Sequence, residues 1–86
     1  MSEDLRGILL VEDDPALALG LSDSLRFEGY RVVHTAKGEK AIELIRSQEF
    51  DLLISDIRMS PVNGMEVLRV SRAERPGMTV IMLTAY

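Results

Sequence analysis

Three short stretches of this chain are almost wholly apolar: Gly7-Ile8-Leu9-Leu10-Val11, Leu52-Leu53-Ile54-Ser55 and Thr79-Val80-Ile81-Met82-Leu83. A strand with one wet face alternates apolar and polar residues. An unbroken run of this length belongs to a strand buried on both faces, as in a parallel sheet covered by helices. The intervening segments have helical character. Asp14-Pro15 reads as a helix start, with Asp14 as N-cap and Pro15 in the first turn. Leu17, Leu21, Ser24, Leu25 and Glu28 then form a stripe at helical spacing, and Gly29 ends the helix. The spacing predicts a second strand over Tyr30–Thr35 and a helix over Gly38–Gln48 with Ala41, Ile42, Leu44 and Ile45 on its apolar face. The third strand, Asp51–Ser55, leads to a loop over Met59–Asn63. A helix over Gly64–Glu74 follows, with Met65, Val67, Leu68 and Val70 packing inward. Pro76-Gly77 is a turn before the last strand. Strand-helix-strand repetition with short connections implies right-handed crossovers and one doubly wound α/β sheet. With 86 residues there is material for one small domain. Residues 1–6 read as a polar lead-in and 7–86 as the fold.

The apolar runs stop at acids. The first, read as a strand over Gly7–Glu12, meets Glu12-Asp13-Asp14, and the third-strand run meets Asp56. Parallel strands bring these ends to one edge of the sheet, where ligand sites form in open α/β folds. Asp14 is accounted for by its helix cap. Glu12, Asp13 and Asp56 crowd together and repel unless a cation lies between them. Oxygen ligands without His or Cys suit a hard ion, Mg2+ or Mn2+, and Mg2+ pairs one or two carboxylates with phosphate oxygens. Thr84, at the end of the fourth strand, offers a hydroxyl to a phosphoryl oxygen, and Ala85 beside it leaves access. His34, the only histidine, is expected at the surface of the second strand, away from the acids. Arg69, Arg72 and Arg75 read as a solvated helix end, and the methionines as core or rim filler.

Composition excludes several roles. The net charge of −4 and the scattered Lys and Arg argue against nucleic acid or an anionic membrane as a direct partner. There are no cysteines, so no disulfide framework or thiolate metal site is expected, in keeping with a cytoplasmic protein. No stretch approaches membrane-spanning length, and the N-terminus has no signal-peptide pattern.

The segments Ile8–Asp14, Asp51–Met59, Asn63–Leu68 and Val80–Ala85 together resemble the receiver domain of two-component response regulators. Gly29–Val33 and Ala36–Ala41 fit as well, so the likeness runs through essentially the whole chain. It implies a flavodoxin-like fold with sheet order 2-1-3-4-5. It implies Asp56 as the acceptor of a phosphoryl group from a sensor histidine kinase. Asp13, Asp56 and the backbone carbonyl of Arg58 would ligate Mg2+, Glu12 would assist through a water, and Thr84 would be the switch hydroxyl. Two departures stand out. The family's proline four residues after the acceptor is Ser60 here, with Pro61 next, which predicts a local loop change with the register kept. The chain also ends after the fourth strand, so four strands and three helices are expected, without the fifth strand and its lysine, the last two helices or an output domain. Lys37 and Lys40 lie beyond the second strand and do not replace that lysine. The expectations are impaired phosphorylation and self-association through an exposed fourth strand.

Other functions compete with a signalling acceptor. A phospho-independent interaction module of the same fold would not bind Mg2+. A haloacid-dehalogenase-type phosphatase wants an aspartate where Arg58 stands. A flavodoxin wants a hydroxyl- and glycine-rich loop where this chain places acids.

Overall fold

The computed structural model describes residues 7–58 and 63–83. Strands β1 (Gly7–Val11), β2 (Arg31–Thr35), β3 (Leu52–Asp56) and β4 (Thr79–Leu83) alternate with helices α1 (Pro15–Phe27), α2 (Gly38–Ser47) and α3 (Gly64–Glu74). All strand pairs are parallel and the order is β2-β1-β3-β4. β1 is therefore interior, as its unbroken apolar run demands. Leu9, Val11 and Leu53 pack with Ala41, Ile45 and Val67 on the face covered by α2 and α3. Ile8, Leu10 and Ile54 pack with Ala18 on the α1 face. Burying one such leucine contributes about 2 kcal/mol.

α1 begins where Asp14 accepts hydrogen bonds from the Ala16 and Leu17 N–H groups, with Pro15 in the first turn. It ends at Gly29, whose φ of 100° suits a residue without a Cβ. Its inward face corrects the stripe read from spacing. Ala18 and Ser22 are buried, and Leu21 and Leu25 pack beside them, whereas Leu17 is 45% exposed and Ser24 and Glu28 face water. The two stripes are a small rotation apart, and the small Ala18 and Ser22 let the helix lie close to the sheet. In α3, Val67 and Val70 point inward as expected, but Met65 is exposed.

Arg75 is not a solvated cation. Its guanidinium donates to the carbonyls of Ile45 (3.0 Å) and Gln48 (3.1 Å), at the end of α2. It thereby satisfies acceptors that a helix end leaves open and ties α2 to α3. Arg69 pairs with Glu66 one turn earlier at the surface, where such a pair adds little. The loop change expected at Ser60 and Pro61 lies outside the described residues.

Candidate functional site

The end of β1 and the end of β3 are adjacent because the two strands pair directly, Val11 opposite Ser55. Glu12 and Asp13 leave one strand, and Asp56 is the last residue of the other. One carboxylate oxygen from each of Glu12, Asp13 and Asp56 lies within 4.8 Å of the others, an arrangement able to hold a metal ion. Glu12 is 2% and Asp56 6% exposed, whereas Asp13 is exposed. Asp14, Leu17, Arg58 and Leu83 complete the lining of a cleft of about 350 Å³.

Local hydrogen bonds aim these side chains. The Asp56 carboxylate accepts from the Arg58 N–H at 3.0 Å, and the Ile57 N–H donates to Leu83 O at 3.1 Å. Glu12 accepts the Asp14 N–H at 3.0 Å while Asp14 caps α1, so cap and cluster share one turn. Burial pushes the Glu12 carboxyl above its ordinary range; the Asp14 N–H opposes this, and the charges of Asp56 and Asp13 add to it. The Asp56 carboxylate beside it repels the Glu12 charge in the same sense. A proton or a cation must therefore balance the cluster, and an all-oxygen donor set suits Mg2+.

Of the residues singled out for the site, Thr84 and its neighbour Ala85 lie outside the described residues. Asp14 is the cap. His34 departs from expectation: its ring is exposed, yet Nε2 stands 2.8 Å from the Glu12 carbonyl. A histidine two residues back on a neighbouring strand gives no sequence signal of such reach. Gly64 also acquires a role. Its N–H donates to Ile57 O at 2.9 Å, and a Cβ there would stand 2.0 Å from the Asp56 carbonyl oxygen.

Comparison with known proteins places this geometry. The response regulator receiver domain family matches residues 8–86. The transcriptional regulatory protein GlrR of Escherichia coli is 40% identical over the whole chain, which spans 19% of GlrR. A CheY-like receiver domain protein from Methanospirillum hungatei superposes with a TM-score of 0.93 at 36% identity, covering 96% of this chain and 66% of that one. The receiver domain of a sensor histidine kinase from Pseudomonas aeruginosa, with a magnesium ion in its active-site cleft, gives 0.88 at 34% identity, covering 95% and 69%. The chain thus spans about a fifth of its first curated relative. Family match, sheet order and acidic edge agree: this chain belongs to the response regulator receiver domain family of two-component signalling.

Proposed function

We propose that the chain accepts a phosphoryl group on Asp56 from a phosphorylated histidine of a sensor kinase. The observation that carries this reading is the meeting of three carboxylates from two strand ends within 4.8 Å. Asp13, Asp56 and the Arg58 carbonyl would hold Mg2+, with Glu12 acting through a water; Mn2+ suits the same oxygens. When bound, the cation offsets the negative charge that gathers where carboxylate and phosphoryl oxygens meet. The Asp56 carboxylate oxygen attacks phosphorus, the N–P bond breaks, and its electron pair stays on the kinase imidazole. Leu17 and Leu83 at the cleft wall limit water around the acyl phosphate. The Thr84 hydroxyl would then meet the phosphoryl oxygens. The chain is an acceptor rather than an enzyme, works in the cytoplasm, and in a longer protein hands the signal to an output domain, a transcriptional one by analogy with GlrR. Among the described residues no lysine lines the cleft, and we propose that a receiver cleft without one accepts the group more slowly than one that has it.

Metal binding is tested by thermal unfolding. Because the folded chain holds a proton on Glu12 more tightly than the unfolded chain, metal-free stability rises as pH falls from the raised Glu12 value toward its ordinary 4.5. Mg2+ competes with that proton. At neutral pH, Mg2+ at a hundred times its Kd raises the midpoint by roughly 10 °C. Near the ordinary carboxylate range the gain shrinks, and Glu12→Gln flattens the pH dependence of the metal-free chain. No Mg2+ effect at either pH would favour the phospho-independent module.

Self-association follows from the sheet edge. Among the described residues β4 is paired on one side only, and Ile81 is 45% exposed beside a groove shared with Ile8 and Leu52. An apolar outer strand invites a second copy. The sedimenting mass of the 86-residue chain is expected to rise with concentration, and Ile81→Lys to suppress the rise. A concentration-independent monomer contradicts this.

A further inference from the structure

Glu12 is the last point at which β1 and β2 touch. Its N–H donates to Thr35 O at 3.1 Å. Beyond Thr35 the chain turns away, and the Lys37 N–H donates to Thr35 Oγ1 at 3.2 Å instead. The Glu12 carbonyl, which would continue the ladder, meets the His34 ring. A carbonyl only accepts, so Nε2 carries the proton and donates across 2.8 Å. We propose that His34 is a positioning residue for the carboxylate site, holding the peptide unit that joins Glu12 to Asp13.

That peptide is planar, so fixing its carbonyl fixes the plane from which Asp13 departs. Glu12 is then held at three points: its N–H by Thr35, its carbonyl by His34, and its carboxylate by the Asp14 N–H at 3.0 Å. Asp13 is exposed, so its aim depends chiefly on this backbone. A carboxylate that must meet an ion with near-octahedral demands loses affinity when its backbone rocks. His34 neither touches the reacting atoms nor supplies a ligand; it sets the angle of one.

The inference rests on the Mg2+ reading, and the test separates the two. His34→Phe keeps a ring and suits a strand but removes the donor; His34→Gln places an amide N–H near the position of Nε2. In the metal-free 86-residue chain, the Glu12 carbonyl carbon resonance is expected to move in His34→Phe and to return in His34→Gln. In an NMR titration with Mg2+, His34→Phe is expected to bind about three- to tenfold more weakly, with His34→Gln close to the starting chain. An unmoved carbonyl resonance, unchanged Mg2+ affinity in His34→Phe, or equal weakening in both variants overturns the proposal. A starting chain that binds no Mg2+ contradicts the metal reading, and the carbonyl resonance still decides whether the clamp exists.

Discussion

Gly64→Ala is expected to destabilise the fold by about 3 kcal/mol, while Gly20→Ala stabilises it by about 0.8 kcal/mol. Both glycines lie in helices. Alanine is the better helix former, so propensity alone predicts a gain at each. The surroundings differ. Nothing lies within 4 Å of a Cβ placed on Gly20, whereas one on Gly64 stands 2.0 Å from the Asp56 carbonyl oxygen and 2.7 Å from the Ile57 Cα. Those are backbone atoms of the strand end that carries the acceptor, and they have no rotamer through which to yield. Neither glycine has a positive φ, so the difference is one of space. Relief requires α3 to retreat from β3, breaking the Gly64 N–H bond to Ile57 O and shifting Asp56. Thermal unfolding should show Gly64→Ala lower by roughly 15 °C, with weakened Mg2+ binding, and Gly20→Ala a few degrees higher. Equal, favourable shifts for the two would show that α3 has room at β3.

Asp56→Asn is expected to abolish phosphoryl labelling outright. The amide has no carboxylate oxygen with which to attack phosphorus, and one of the acids around the ion is lost, costing roughly tenfold in Mg2+ affinity. In the metal-free chain the same change removes a charge that pushes Glu12 upward, so stability at neutral pH should rise. Loss of labelling with a gain in stability distinguishes a functional acid from a structural one. Asp14→Asn is the contrasting case. Asparagine caps a helix as well as aspartate does, and Asp14 spends its carboxylate on Ala16 and Leu17, so labelling and stability should hardly change. If Asp56→Asn still takes the label, another residue is the acceptor.

Much of this was legible in the residue order, for a physical reason. A strand buried on both faces cannot alternate, so β1 announced itself, and acids that break such a run must lie at its carboxyl end. Strand-helix-strand order with parallel pairing then brought Glu12, Asp13 and Asp56 to one edge. Features set by distance between elements were not legible. The side of α1 that meets the sheet depended on the small Ala18 and Ser22, not on the larger Leu17. Arg75 looked like one more helix-end cation, yet it reaches α2 carbonyls 27 and 30 residues away in the chain. His34 looked remote because Glu12 stands 22 residues earlier; only the β1–β2 register brings its ring to that carbonyl. Gly64 fell at a helix start, where glycine is unremarked, and the carbonyl it must clear belongs to a strand.

The most direct test of the account is the intact mass of the 86-residue chain after exposure to a small acyl phosphate, followed by peptide mapping. One added phosphoryl group is expected, on the peptide carrying Asp56, formed with Mg2+ present and not formed when a chelator removes the ion beforehand. Labelling that is indifferent to Mg2+, or that maps to a peptide without Asp56, would contradict it.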